Sequence, residues 1–183
     1  EVNQQLNNGV WVSLGKHSFT AAGTAQVSLS DNANGLVIAD AVKLVYINSQ
    51  TDVVVDNTDS NTSRVGSWTV STNTAGYYGT NYEYRTAGTG VNKFTWSPVV
   101  SASGTYEVFA RWTAFSNRAT NAKYTVTNNS GSSTVEVNQQ LNNGVWVSLG
   151  KHSFTAAGTA QVSLSDNANG LVIADAVRVV LQD

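Results

Sequence analysis

The chain has 183 residues, of which 41% are hydrophobic and only 12% are charged, and its net charge is −2. The scattered lysines and arginines exclude a basic nucleic-acid-binding face, and no apolar run is long enough to span a bilayer. The absence of cysteine excludes disulfides and thiolate chemistry. Because segments rich in Val, Thr, Tyr and Trp are separated by Gly and Asn, the composition predicts an all-β protein.

Short strands are predicted where apolar and polar residues alternate between turn residues. The pattern is clearest from Tyr106 to Trp112, where every second residue is apolar and Phe109 interrupts the opposite, polar face. The dipeptides Asn143-Gly144 and Asn169-Gly170 predict hairpin turns, because such turns need positive φ. About ten short strands at this spacing predict a jelly-roll-like antiparallel β-sandwich. The principal strands are predicted, in chain order, at residues 52–55, 67–71, 92–97, 104–113, 122–127, 133–141, 145–149, 159–165 and 171–181.

One segment occurs twice in the sequence. Residues 1–42 recur without change at residues 136–177, an offset of 136 − 1 = 135 residues. This offset is the length of a small domain and exceeds the period of solenoid repeats. We therefore expect a tandem repeat with a 135-residue period. Residues 1–45 are predicted to be the C-terminal part of a preceding repeat, 46–51 a linker, and 52–183 a complete β-sandwich domain.

No catalytic centre is predicted. His152, with its copy His17, is expected on the surface or in a loop, and the adjacent Ser153 points to the opposite face of its strand. No two carboxylates form a recognisable glycosidase pair in the sequence. The chain is therefore predicted not to be an enzyme and to use no cofactor.

Asp175 is the most unusual carboxylate because it shares a strand face with apolar residues, where an ionised group is costly. One interpretation is that Asp175 accepts hydrogen bonds and closes the end of the sandwich. The other is a calcium site formed with Asp56, Asp59 or Asp166, since Ca²⁺ prefers several oxygen ligands. The spacing of these residues matches no known calcium loop, and no metal site is predicted.

Aromatic rings beside polar groups are typical of sugar-binding sites, because the rings stack on sugar C–H surfaces. Tyrosines cluster in the run GYYGTNYEYR, and a polar loop at residues 113–122 follows a strongly patterned strand. Strand spacing also allows some of these rings, Trp112 above all, to belong to the core. The predicted ligand-binding residues are Tyr77, Tyr78, Tyr82, Tyr84, Trp112, Asn117 and Arg118.

Several runs resemble the golvesin C-terminal domain, also described as the xanthan-lyase carbohydrate-binding-like domain. They include GSWTVSTNTAGYYGTNYEYRTAGTG, FTWSP, GTYEVFARW and LSDNANGLVIADAVRVV, in the family's order. The resemblance covers residues 52–181, and residues 1–45 match the family's C-terminal third. It implies a β-sandwich accessory module of bacterial extracellular proteins that binds carbohydrate. No ligand residue is transferred from it.

Two functions follow as expectations. The first is a non-catalytic carbohydrate-binding or adhesion module, an adhesin-like part of a secreted or cell-surface bacterial protein. Its partner would be a polysaccharide or cell-wall glycan, with no nucleic acid and no membrane insertion. The alternative is a structural subunit of an extracellular filament or stalk, in which copies of the chain pair through residues 1–45 by strand complementation.

Overall fold

A computed structural model of the protein describes residues 1–19, 23, 25–45, 52–158 and 160–182. The chain divides into two units, Glu1–Asn48 and Ser49–Asp183. The predicted linker at residues 46–51 lies outside the described residues. None of the described segments forms a helix long and apolar enough to cross a membrane.

The described residues of the second unit form twelve strands. Most coincide with a predicted strand to within a few residues, whereas the strand at residues 62–65 was not predicted. In chain order the strands are β1 (Val53–Asp56), β2 (Thr62–Val65), β3 (Thr69–Ser71), β4 (Tyr82–Arg85), β5 (Lys93–Trp96), β6 (Gly104–Arg111), β7 (Ala122–Asn128), β8 (Gly131–Val137), β9 (Val147–Phe154), β10 (Gln161–Ser165), β11 (Val172–Ala174) and β12 (Ala176–Leu181).

These strands pair antiparallel in three sheets. The sheet orders are β1-β12-β6-β9, β2-β5-β10-β7-β8 and β11-β4-β3. Most spatial neighbours are remote in sequence, as expected when the chain crosses repeatedly between sheets. The predicted all-β, jelly-roll-like antiparallel fold is confirmed.

Aromatic side chains dominate the core between the sheets. The alternation predicted in β6 holds, because Tyr106 and Val108 are fully buried. Trp96 and Trp112 flank Tyr124, with ring centroids 6.2 and 6.3 Å away. Both indole N–H groups donate to carbonyl oxygens, so these large rings are buried without an orphaned donor.

The two predicted Asn-Gly hairpins are wrong. An Asn-Gly pair makes a hairpin only when the strands on either side are neighbours in one sheet. Here β8 pairs with β7 while β9 pairs with β6, and β10 pairs with β5 and β7 while β11 pairs with β4. The asparagines instead tie loops together. The Asn143 Oδ1 atom accepts from the Ala114 N–H at 2.8 Å, and the Asn169 Oδ1 atom accepts from the Thr120 N–H at 2.9 Å.

The predicted last strand, residues 171–181, is broken at Asp175. Its first part, β11, pairs with β4, and its second part, β12, joins β1 and β6 in another sheet. Asp175 is fully buried at the crossover, and its two carboxylate oxygens accept from the Tyr78 N–H at 3.0 and 3.1 Å. This geometry favours the hydrogen-bonding interpretation. Among the described residues, no group of three or more histidines or carboxylates is placed to hold a metal ion.

The prediction that His152 lies on the surface or in a loop is wrong. It lies in β9 and is buried, with Nε2 3.1 Å from the Leu149 carbonyl oxygen. Its ring stacks on Phe154 at 6.4 Å between centroids. An imidazole is moderately apolar, so a ring stack and a backbone partner are sufficient to bury it.

In the first unit, the described residues (1–19, 23 and 25–45) contain no strand. Many of its apolar side chains are exposed, among them Trp11, Leu14, Leu29 and Ile38. The same residue types at the equivalent positions of the second unit are mostly core residues. In the second unit, neighbouring strands cover these side chains; Leu164, for example, lies in β10 between β5 and β7.

Candidate functional site: a cleft beside β4

The second unit has a cleft of about 340 Å³ beside β4. Its walls come from β3, β4, the segment after β3 and the loop between β6 and β7. The lining residues are Ser71, Asn73, Thr74, Tyr82, Tyr84, Phe115, Asn117, Arg118 and Leu171.

The β4 strand supplies two tyrosines to this cleft. Tyr82 and Tyr84 are two residues apart and therefore lie on the same face of the strand. Antiparallel pairing places Ser71 of β3 opposite Tyr82, and Ile173 of β11 opposite Tyr84. The β4 strand, which forms this wall of the cleft, is therefore hydrogen-bonded on one side to β3 and on the other to β11.

The opposite wall is a loop held by Leu171. The Ala119 N–H donates to the Leu171 carbonyl at 2.7 Å, and the Leu171 N–H donates to the Asn117 carbonyl at 3.1 Å. Only glycine fits at position 170, because a Cβ there would lie 2.7 Å from the Arg118 carbonyl oxygen. These contacts hold Asn117 and Arg118 facing β4.

Arg118 organises the polar part of the cleft, although only 5% of its surface is exposed. Its guanidinium donates to the Asn117 Oδ1 atom at 2.9 Å, the Thr74 hydroxyl at 3.1 Å and the Tyr82 hydroxyl at 3.2 Å. Its Nε–H donates to the Thr113 carbonyl at 3.4 Å. These bonds use four of its five N–H groups. Arg118 forms no salt bridge with any described residue, so its charge is not neutralised locally.

The uncompensated charge affects Tyr82. Burial alone would raise the pKa of the Tyr82 hydroxyl, but hydrogen bonds with Ser71, Thr74 and Arg118, and the charge of Arg118, lower that pKa below its usual value. The hydrogen bonds with Ser71 and Thr74 contribute most to the lowering of the Tyr82 pKa, and the guanidinium charge of Arg118 adds to it. A ligand oxygen that carries negative charge would be stabilised in the same way.

Four of the seven predicted ligand residues come together in this cleft: Tyr82, Tyr84, Asn117 and Arg118. Tyr77 does not line the cleft and packs against Tyr82, with ring centroids 6.1 Å apart. Trp112 must be corrected from a candidate ligand residue to a core residue, because it is fully buried and donates its indole N–H to the Leu141 carbonyl.

Tyr78 belongs to a second surface, which we call the arginine–aromatic row. The row consists of Tyr78, Arg111, Trp146, Arg178 and Phe109, in which each arginine lies between two rings. The Arg111 guanidinium carbon is 6.0 Å from the Tyr78 ring and 5.9 Å from the Trp146 ring. The Arg178 carbon is 5.1 Å from the Trp146 ring and 4.8 Å from the Phe109 ring. This stacking explains why Phe109 stands on the polar face of β6.

Sequence reasoning missed five lining residues. Residues 71–74 (STNT) form an ordinary polar run, and only the β3–β4 ladder brings them opposite Arg118. Phe115 could have been predicted from the sequence, because it is an aromatic residue within the polar loop. Its side chain is 57% exposed in the structure. Among the residues that the structure describes, none that lines the cleft carries a carboxylate or an imidazole. The cleft therefore offers stacking surfaces and hydrogen-bond donors, but no carboxylate pair for glycoside hydrolysis.

The fold is shared with carbohydrate-binding modules. A family 35 carbohydrate binding module from Clostridium thermocellum is 17% identical, with a TM-score of 0.53 over 73% of this chain and 100% of that chain. A family 35 module from an environmental isolate is 20% identical, with a TM-score of 0.52 over 69% of this chain and 91% of the other. At these identities the likeness defines the class of fold, a β-sandwich of the carbohydrate-binding-module type.

The family to which the chain belongs is shown by a sequence profile and by relatives of higher identity. The sequence profile of the Golvesin C-terminal domain matches residues 1–46 and 53–181, and the chain belongs to this family. Xanthan lyase of Bacillus sp. (strain GL1) is 35% identical over 134 residues, which is 70% of this chain but 14% of that protein. The structure of a Paenibacillus xanthan lyase is 42% identical, with a TM-score of 0.70 over 73% of this chain and 13% of the other. The chain thus spans about one seventh of these enzymes.

Proposed function

We propose that the chain is a non-catalytic carbohydrate-binding module of an extracellular or cell-surface bacterial protein, and that the cleft beside β4 is its ligand site. The observation that carries this proposal is the placement of Tyr84 and Phe115 beside Asn117 and Arg118 in one cleft. The confirmed family and the shared fold support the same function. The ligand would be a polysaccharide or cell-wall glycan.

The cleft has the chemistry that sugars require. A pyranose ring presents apolar C–H faces and polar hydroxyl edges, so it binds where an aromatic ring lies beside hydrogen-bonding groups. The half-buried ring of Tyr84 and the exposed ring of Phe115 provide the apolar contact. The Asn117 amide and the remaining N–H of Arg118 provide the polar contact.

The charge of Arg118 selects among sugars. A cation without a carboxylate partner in a partly enclosed cleft favours ligands that carry a carboxylate. We therefore expect stronger binding to acidic than to neutral polysaccharides, and weaker binding as salt is added.

The test is affinity gel electrophoresis of the full chain in xanthan, an anionic polysaccharide, and in a neutral galactomannan. Tyr84→Ala is expected to lower the affinity for the retarding polysaccharide about 10-fold, equivalent to about 1.4 kcal/mol, because the stacking surface is lost. Trp146→Ala removes a ring of the arginine–aromatic row, outside the cleft, and is the matched control.

Unchanged retardation of Tyr84→Ala, with loss of retardation in Trp146→Ala, would move the ligand site to the arginine–aromatic row. Retardation of the parent chain by neither acidic nor neutral polysaccharides would contradict the binding function itself. The thermal unfolding midpoint of each variant shows that the sandwich remains folded.

A further inference from the structure

The Arg118 guanidinium has a single N–H group left for a ligand, and that group lies next to Asn117. The Nε–H group donates to a backbone carbonyl oxygen, and the N–H groups of Nη2 donate to the hydroxyls of Thr74 and Tyr82. One N–H of Nη1 donates to the Asn117 Oδ1 atom at 2.9 Å. The other N–H of Nη1 is the one that remains. Arg118 can therefore donate only one hydrogen bond to a ligand and cannot hold a carboxylate by two bonds of its own.

Arg118 also fixes the orientation of the Asn117 side-chain amide. Because a guanidinium nitrogen only donates, the oxygen end of the amide must face it. The nitrogen end, Nδ2, then carries its two N–H groups away from Arg118. Asn117 is exposed, and no described residue accepts a hydrogen bond from its Nδ2 atom. Both donors are therefore available in the cleft, on either side of the bond between Arg118 and Asn117.

The backbone carbonyl groups of the same loop are bonded to other parts of the protein. The carbonyl oxygens of Ser116 and Arg118 accept from the Gln140 Nε2 atom at 3.0 and 2.9 Å. The Asn117 carbonyl oxygen accepts from the Leu171 N–H at 3.1 Å. This wall of the cleft therefore presents donors rather than acceptors. A carboxylate only accepts hydrogen bonds, whereas a sugar hydroxyl both donates and accepts, so the wall favours the carboxylate.

We propose that Asn117 and Arg118 form a two-donor clamp for a carboxylate of the polysaccharide, and that Asn117 determines the preference for acidic over neutral ligands. This inference rests on the proposed function and assigns the recognition to two donors. One carboxylate oxygen accepts from Arg118 Nη1 and the other from Asn117 Nδ2. The Phe115 ring lies 6.0 Å from the Arg118 guanidinium carbon, so the sugar ring that carries the carboxylate can stack beside the clamp.

Asn117→Asp tests the clamp because it hardly changes the shape of the side chain. The carboxylate still accepts from Arg118, but it replaces the two N–H groups of Nδ2 by an oxygen that shares a negative charge. In affinity gel electrophoresis at about 0.15 M salt, the affinity of this variant for xanthan is expected to fall at least about 30-fold. The parent chain is expected to bind xanthan whose carboxyl groups have been reduced to alcohols at least about 10-fold more weakly than native xanthan.

Asn73→Asp is the matched control. It adds the same charge to the lining of the same cleft, but no described hydrogen bond joins the Asn73 side chain to Arg118. An exposed charge acts weakly at this salt concentration, so the affinity for xanthan is expected to fall at most about fivefold. Asn73 and Asn117 are both exposed, and an unchanged thermal unfolding midpoint in each variant shows that the sandwich is intact.

The outcomes separate the clamp from the binding function. Equal losses of affinity in Asn117→Asp and Asn73→Asp would show that the added charge alone weakens binding, and would overturn the clamp. Equal affinity of the parent chain for native and carboxyl-reduced xanthan, or retardation by the neutral galactomannan alone, would overturn the clamp and leave the proposed function intact. Retardation of the parent chain by neither polysaccharide would contradict the proposed function and the clamp with it.

Discussion

Gln139→Ala is expected to lower the free energy of unfolding of the second unit by about 3–4 kcal/mol, whereas Gln4→Ala leaves that free energy unchanged. The Gln139 side chain is fully buried and acts as a short piece of neighbouring strand for β11. Its Oε1 atom accepts from the Ile173 N–H, and its Nε2 atom donates to the Ile173 carbonyl and the Tyr124 hydroxyl. Alanine leaves the Ile173 N–H buried without a partner and creates a cavity.

Gln4 makes the same pair of bonds with Ile38, but in an exposed setting. Water replaces those bonds after substitution, so their net contribution is small. Urea denaturation at pH 7, followed by tryptophan fluorescence, gives both values. Equal decreases in the free energy of unfolding for the two variants would show that these hydrogen bonds contribute the same stability whether they are buried or exposed.

The local features of the fold were predictable because they depend on neighbours in sequence. Alternation defined β6, and the exception at Phe109 is explained by its stacking with Arg178. Which strands pair depends on residues that are distant in sequence, and the hairpins predicted from local composition were wrong. Asn143-Gly144 has the composition of a hairpin turn, yet the chain leaves one sheet and enters another across it.

Part of the cleft was also predictable, because some of its residues are marked by local composition and spacing. The loop that contains Asn117 and Arg118 was predicted from its composition, and Tyr82 and Tyr84 from their spacing. Periodicity already favours a core position for Trp112, which shares its strand face with Tyr106 and Val108, and Trp112 does lie in the core. Only its aromatic ring made it a candidate ligand residue. Thr74 and Arg118 are 44 residues apart, and only the folded structure brings them together.

Asp175 is expected to make the stability of the second unit depend on pH. Burial raises the pKa of this carboxyl to about 8, the Tyr78 N–H opposes the rise, and the nearby carboxyl of Asp56 adds to it. The folded state therefore holds a proton that the unfolded state, with an ordinary carboxyl pKa, has released above pH 4. The free energy of unfolding falls as pH rises from about 4 to 8, by at most about 6 kcal/mol, and then levels off.

Asp175→Asn tests this account, because the amide resembles the protonated carboxyl and still accepts from the Tyr78 N–H. The variant is expected to be more stable than the parent at pH 8 and to lose most of the slope between pH 5 and 8. Asp166→Asn is the contrasting control. Burial alone would raise the pKa of Asp166, but hydrogen bonds with Asn92, Gly90 and Arg85 hold that pKa below its usual value.

The stabilising contribution of Asp166 is present above pH 4 and is lost only as pH falls below that value. Asp166→Asn should therefore lower stability across the range from pH 5 to 8 without changing the slope there. Urea denaturation at each pH, with and without a chelator, measures both effects. A slope that survives in Asp175→Asn would assign the pH dependence to other groups, of which Asp56 is the first, since burial raises its pKa too. A chelator that destabilises the parent at pH 8 but not Asp175→Asn would show instead that this carboxylate is ionised and holds a cation.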